Sequence, residues 1–197
     1  MGNSIIYFGG SFNPPHISHY LFAAALCAYF PKMDIWIAPT FSHAFNKKLL
    51  PFELRIAMLE DIFAPLDGIK ISQIEKELNQ TPSYTIDVIR FMRRQGIKSK
   101  IYIAVGADIV PTVPQWRDYE ALTKIARFLV FPREGYDNSS AVDMPHLPDI
   151  SSSQLRTWLA EEKWNLVRPW MTLRAFERFK QWAERNPEPF ASFLAGS

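Results

Sequence analysis

The 197-residue chain contains one cysteine, Cys27, which excludes an intramolecular disulfide and any metal site built from several thiolates. Cys27 lies within the apolar stretch LFAAALCAYF and reads as a core thiol of a reducing compartment. An excess of one charge is also lacking. Lys and Arg number 22 against 20 Asp and Glu, a net +2 mixed along the chain, so there is no electrostatic footprint of a general nucleic-acid binder. No apolar run approaches the ~20 residues that a bilayer-spanning helix needs. The start MGNSIIYF has neither the basic flank nor the cleavage site of a secretory signal. Met-Gly-Asn-Ser opens like a myristoylation signal, but Ile6 stands where Ser or Thr is required. Internal repeats, low-complexity tracts and linkers are missing too. The expectation is a cytoplasmic protein with no nucleic-acid or membrane partner. Its 48% hydrophobic content suits one globular domain over 1–197, with about 164–197 forming a C-terminal helical extension of it.

What is present is a regular alternation of short β-branched or aromatic runs with longer helical patterns. Strands are expected at 4–8, 34–38, 69–72, 100–105 and 127–131. Helices are expected at 17–30, 52–63, 82–95, 116–124, 152–161 and 173–183, most with apolar residues near a 3.6-residue period. This rhythm predicts an α/β fold: a Rossmann-like, doubly wound, mostly parallel sheet of about five or six strands with helices on both faces. The loops that follow the strands then line one edge, where such sheets bind ligands. Residues 132–148 form a long loop. Leu173, Phe176, Phe179 and Trp182 read as a packing face or an oligomer contact, so a monomer and a homo-oligomer both remain open.

Four segments carry candidate chemistry. GGSFNPPHISH, directly after the first strand, joins Gly9 and Gly10 to His16 and His19. Glycines that can take positive φ let backbone N–H groups approach an anion, and the following helix start adds its positive end. Two histidines three apart lie on one helical face and each can offer an N–H. In GADIVPTVPQW, Gly106 permits close backbone approach and Asp108 can accept from ribose hydroxyls; taken alone, Asp108 is a helix cap and Trp116 a core anchor. In ELNQTPSYT, Thr81 reads as an N-cap with Pro82 at the first helical position, which would present N–H groups suited to a carboxylate. In ISSSQLR, Ser151 and Ser152 open a helix and Arg156 can make a bidentate contact with phosphate, although serines there are also ordinary caps. Arg133 in FPREG and Lys47 and Lys48 in TFSHAFNKKLLPF are further cationic candidates.

GGSFNPPHISH resembles the GG(T/S)F(D/N)P-x-H-x-GH signature of the nucleotidyltransferase α/β-phosphodiesterase superfamily, with Ser18 where the family usually has glycine. GAD-(x)7-W, PSYT and ISSSQLR resemble segments of its bacterial nicotinate-nucleotide adenylyltransferases, so that the resemblance covers most of residues 4 to 160. It implies transfer of the adenylyl group from ATP to nicotinate mononucleotide, with release of pyrophosphate and formation of deamido-NAD. It further implies that His16, His19 and Arg156 are catalytic, and that Gly9, Gly10, Ser11, Phe12, Gly106, Asp108, Arg133, Ser151 and Ser152 help to bind ATP. Tyr84, Thr85, Trp116, Lys47 and Lys48 would bind the mononucleotide, with Trp116 stacked on the pyridine ring. Arg117 follows where the family often has an aromatic residue. Mg²⁺ would arrive with ATP, held by phosphates and water rather than by a fixed protein site. Rival readings are use of nicotinamide mononucleotide or phosphopantetheine as acceptor, or a nucleotide sensor that has lost turnover.

Overall fold

The computed structural model describes residues 4–42, 48–144, 148 and 150–195. Five strands, β1 (Ser4–Gly10), β2 (Met33–Pro39), β3 (Ile69–Ile71), β4 (Ile101–Gly106) and β5 (Arg127–Phe131), pair in the order β3-β2-β1-β4-β5. Every pairing is parallel. Around the sheet lie helices α1 (Ile17–Tyr29), α2 (Phe52–Phe63), α3 (Ile74–Leu78), α4 (Thr85–Arg94), α5 (Tyr119–Ile125), α6 (Ser152–Ala160), α7 (Trp164–Val167), α8 (Leu173–Arg185) and α9 (Pro187–Ala195).

Both faces of the sheet are covered, and the period-2 alternation of strand side chains divides the core accordingly. Ile6, Ile35, Ile37 and Ala104 pack with Phe22, Leu26, Met58, Leu59 and Phe179 on one face. Ile5, Tyr7, Ile101, Ile103 and Val105 pack with Ile86, Ile89, Met92 and Leu122 on the other. The order reverses at β1, whose neighbours β2 and β4 are reached by crossovers on opposite faces, so the switch-point crevice opens at its carboxyl end. Helices α8 and α9 join the first of these layers. Phe176, Phe179 and Phe193 are buried there, and Trp164 stacks on Phe190 with ring centroids 5.6 Å apart. The face expected from Leu173, Phe176, Phe179 and Trp182 is therefore packed at its centre, while Leu173 is 58% exposed at its end.

Two expected helices differ. The one placed at 82–95 begins at Thr85, with Tyr84 extended at its cap, and the Thr81–Pro82 peptide is cis. Thr81 is thus not an N-cap. Ser83 donates its N–H to the Ser42 carbonyl (3.3 Å), with its hydroxyl 3.2 Å from the same oxygen, and these tertiary contacts hold residues 81–83 out of the helix despite the local helix-start pattern. The helix placed at 116–124 begins only at Tyr119, as α5, and a 3₁₀ segment, Val110–Gln115, precedes it where no helix was expected. Trp116 is extended between them and Asp118 is left-handed. The short α3 and α7 and the terminal α9 carry too few periodic positions to be marked in advance.

Candidate active site

Gly9 and Gly10 are the last residues of β1 and are extended; the left-handed residue of the turn is Phe12, at φ 45°. The glycines are needed for space rather than for positive φ. A Cβ on Gly9 would lie 2.7 Å from the Tyr7 ring, and one on Gly10 would lie 3.3 Å from the Phe12 ring. His16 then caps α1 from an extended conformation, and His19 sits in its first turn. The backbone N–H of His16 donates to His19 Nδ1 (3.0 Å), and the two imidazole centroids are 3.8 Å apart. Because Nδ1 of His19 is an acceptor, its proton resides on Nε2, which is left as a donor. Phe12 meets the His19 ring edge-on at 4.8 Å. His16 is 3% exposed, and its Nδ1 has no hydrogen-bond partner among the described residues.

Burial pushes the His16 imidazole down to about 3, with the nearby Arg133 cation acting in the same direction. His19 is likewise held well below its ordinary range, first by burial and then by His16 and Arg133. Both rings are therefore neutral at physiological pH. The unfolded chain takes up protons on both near pH 6.5 while the folded chain does not, so their contribution to stability is full above that pH and is lost on acidification toward the folded values. The difference amounts to at most about 1.4 kcal/mol per pH unit for each ring. Denaturant unfolding of the parent between pH 7.5 and 5 is expected to show a steeper loss than a His16→Gln/His19→Gln variant. Equal slopes would mean that the folded chain protonates these histidines readily.

The segment opening α6 closes over the same turn. Ser151 caps α6 by accepting from the Gln154 N–H (3.1 Å), and the Ser152 hydroxyl donates to the Pro14 carbonyl (2.8 Å). Arg156, 3% exposed, donates to the Asn13 carbonyl (2.8 Å) and to Ser153 Oγ (3.0 Å). The fully buried Asn13 accepts from the Leu50 N–H (2.8 Å) and donates to the Lys48 carbonyl (3.0 Å). Arg55, 1% exposed on α2, donates to the carbonyls of Leu50 and Ser11, each at 3.0 Å. Burial lowers its guanidinium to about 10, so it stays cationic at neutral pH. Asn13 stands out in the sequence only as part of the GGSFNPPH motif, and Arg55 does not stand out. Arg55→Met leaves two carbonyls without this donor, and at about 1–3 kcal/mol for each lost buried partner a destabilisation of about 2–6 kcal/mol is expected in urea unfolding. A change below about 0.5 kcal/mol would be that of an ordinary surface substitution and would contradict this bracing role.

Ser18 is buried, and its hydroxyl donates to the Pro148 carbonyl (3.3 Å), linking α1 to the approach to α6. Ser18→Gly is expected to keep turnover within about tenfold, a barrier change of about 1.4 kcal/mol. It should also lose about 1 kcal/mol of stability from a glycine inside a helix. A larger gain in turnover, measured at saturating substrates, would show that the serine impairs the site.

From the other side of β1, Gly106 ends β4 where a Cβ would run into the Asp108 carboxylate and lie 3.1 Å from Arg133 Nε. Asp108 Oδ1 faces Arg133 Nε at 3.4 Å, both side chains about one-third exposed. Tyr84 caps α4 and Thr85 is its first residue, so the helix start presents backbone N–H groups beside them. The Arg117 guanidinium lies 4.8 Å over the Tyr84 ring and 3.6 Å from Asp87, drawing the Trp116 segment toward the α4 start. Trp116 meets Phe128 edge-on at 5.8 Å and remains partly exposed. Lys48 Nζ donates to Ser192 Oγ on α9 (3.2 Å), away from the histidines' own hydrogen bonds; Lys47 lies outside the described residues. Among the described residues no group of three or more His, Cys, Asp or Glu is arranged to hold a metal ion, and no helix is long and apolar enough to cross a membrane.

A parallel sheet whose switch-point edge carries a histidine pair behind two strand-end glycines, together with a serine-opened helix, is the setting of a nucleotide-transferring class. The sequence profile of the cytidylyltransferase-like family matches residues 7–158. A Myxococcus xanthus protein named "Probable nicotinate-nucleotide adenylyltransferase" is 33% identical over 153 residues, covering 77% of this chain and 80% of the relative. One of the same name from Anaeromyxobacter dehalogenans is 33% identical over 161 residues, 81% of this chain and 85% of the relative. The chain thus belongs to the cytidylyltransferase-like nucleotidyltransferases and, within them, to the nicotinate-nucleotide adenylyltransferase family. In fold it is similar to the Plasmodium falciparum nicotinic acid mononucleotide adenylyltransferase complexed with NaAD, with a TM-score of 0.81 at 19% identity, over 92% of this chain and 97% of that one.

Proposed function

We propose that the chain transfers the adenylyl group of ATP to nicotinate mononucleotide, giving deamido-NAD and pyrophosphate. The observation that carries this reading is the placement, at one sheet edge, of a neutral histidine pair after β1 together with Tyr84, Trp116 and Arg117 after β3 and β4. ATP enters as its Mg²⁺ complex, the ion held by phosphate oxygens and water.

A phosphate oxygen of the mononucleotide attacks the α-phosphorus of ATP. The bond from that phosphorus to the oxygen bridging to the β-phosphate breaks, and pyrophosphate leaves with the electron pair. No covalent enzyme intermediate is needed, so catalysis is positioning and charge stabilisation. His19, with Nε2–H fixed as donor by the bond at Nδ1, and His16, with a buried nitrogen lacking a partner, supply neutral preorganised donors to the α-phosphate oxygens. Asp108 would take the ribose hydroxyls and release Arg133 toward the phosphates. Arg156 acts in this reading chiefly by holding the Asn13–Pro14 turn beneath the triphosphate, with Ser151 and Ser152 at the α6 start lining the β and γ groups. The α4 start receives the nicotinate carboxylate and Trp116 stacks on the ring.

Mixing the protein with Mg²⁺, ATP and nicotinate mononucleotide is expected to yield deamido-NAD and pyrophosphate in equal amounts by chromatography. ATP consumption without the dinucleotide would contradict the reading.

A further inference from the structure

A buried carboxylate outside the residues assigned above joins three elements beneath the proposed mononucleotide pocket. Glu75, on the short α3 and 6% exposed, accepts from the Tyr7 hydroxyl of β1 (3.0 Å), the Phe41 N–H just past β2 (3.1 Å) and the Ser83 hydroxyl before α4 (2.6 Å). Tyr7 and Ser83 are buried with it, at 2% and 8% exposure. Burial raises the Glu75 carboxyl, while the three donors and the Arg55 cation act in the opposite direction. The Tyr7 hydroxyl is raised well above its ordinary value by burial and by Glu75, so it remains the donor of this bond.

The local sequence shows what this network opposes. Thr81-Pro82 has the pattern of a helix start. Yet α4 begins three residues beyond Pro82, where Ser83 is engaged by Glu75 and by the Ser42 carbonyl. Ser83 directly precedes Tyr84 and Thr85, so whatever fixes Ser83 fixes the position of the residues proposed to meet the nicotinate.

We propose that Glu75 is the positioning residue of the mononucleotide site: by gripping Tyr7, Phe41 and Ser83 together it sets where α4 begins and thus where Tyr84 and Thr85 stand relative to β1. The inference rests on the pocket assignment made under the proposed function. Glu75 acts through Ser83 and is not itself expected to touch substrate.

Removing the carboxylate should disturb acceptor binding selectively, whereas the triphosphate side is braced by hydrogen bonds of Arg55, Asn13 and Arg156 in which Glu75 takes no part. In steady-state assays Glu75→Ala is expected to raise the KM for nicotinate mononucleotide about tenfold or more, a buried acceptor of three hydrogen bonds having been lost. The KM for ATP and kcat should stay within about threefold, because the α-phosphate donors are untouched. Glu75→Gln should recover the mononucleotide KM to within about threefold, since its oxygen can accept from Ser83 and Phe41 while its amide donates to the Tyr7 oxygen. Ser83→Ala, a smaller change, should move the same KM in the same direction and serves if Glu75→Ala does not fold. The proposal is overturned if these variants raise both KM values and lower kcat together, or move none of them. Trp116→Ala in the same assays distinguishes the two failures. A raised mononucleotide KM there, with unchanged Glu75 and Ser83 variants, refutes the positioning role and leaves the pocket in place. No change in any of the three refutes the pocket assignment, and the positioning role with it.

Discussion

His16→Ala and His19→Ala are each expected to lose at least about two orders of magnitude in kcat at saturating ATP and nicotinate mononucleotide, the loss seen when one preorganised donor to a developing oxyanion is removed. The geometry separates two contributions at His19. Its Nδ1 completes the cap of α1 by accepting from the His16 N–H, so the alanine variant should also lose about 1 kcal/mol of stability. His19→Gln keeps an acceptor at that third helical position and should restore much of the stability without restoring turnover. His16 makes no such bond through Nδ1, so His16→Ala should melt close to the parent. Turnover within a few-fold of the parent in both alanine variants would remove the pair from the mechanism.

A second large effect concerns the acid and amide forms of the mononucleotide. The kcat/KM for nicotinate mononucleotide is expected to exceed that for nicotinamide mononucleotide by at least about tenfold. A carboxylate accepts charge-assisted hydrogen bonds, worth about 1.5–3 kcal/mol, which an uncharged amide with an NH₂ group cannot match. Arg117 sharpens the point, since its cation lies over the Tyr84 ring at the α4 start and is only partly offset by Asp87 at 3.6 Å. Arg117→Ala should therefore narrow the preference from the acid side. Trp116→Ala should raise the mononucleotide KM about two- to tenfold, as expected from roughly 0.5–1.5 kcal/mol of stacking beyond burial. Equal or better use of the amide by the parent would contradict this placement of the α4 start.

The sheet was readable because its strands are short apolar runs punctuated by glycine and proline, and all five lie within two residues of their expected bounds. The glycine–histidine segment and the Gly106–Asp108 segment were placed for a related reason: each follows its strand directly, and a parallel sheet brings such positions to one edge. What could not be read is the buried polar frame. Glu75 meets Tyr7 across 68 residues and Arg156 meets Asn13 across 143, and no local period marks such partners. Arg55 sits in the ordinary helical stretch PFELRIAML, where a cation usually faces solvent. The same frame explains the misplaced start of α4, since the Thr81-Pro82 pattern is a sound helix signal that Glu75 and Ser42 outweigh through Ser83. The strand-end glycines carried the right position with the wrong reason, close approach of the Tyr7 and Phe12 rings rather than a left-handed turn.

The most direct measurement of the central claim follows the bond that breaks. With ATP carrying ¹⁸O at the oxygen bridging the α- and β-phosphates, ³¹P NMR of the products from nicotinate mononucleotide should place all the label in pyrophosphate and none in deamido-NAD, as attack on the α-phosphorus requires. Label retained with the adenylyl group, or no dinucleotide formed, would contradict the assignment of this chain to adenylyl transfer onto nicotinate mononucleotide.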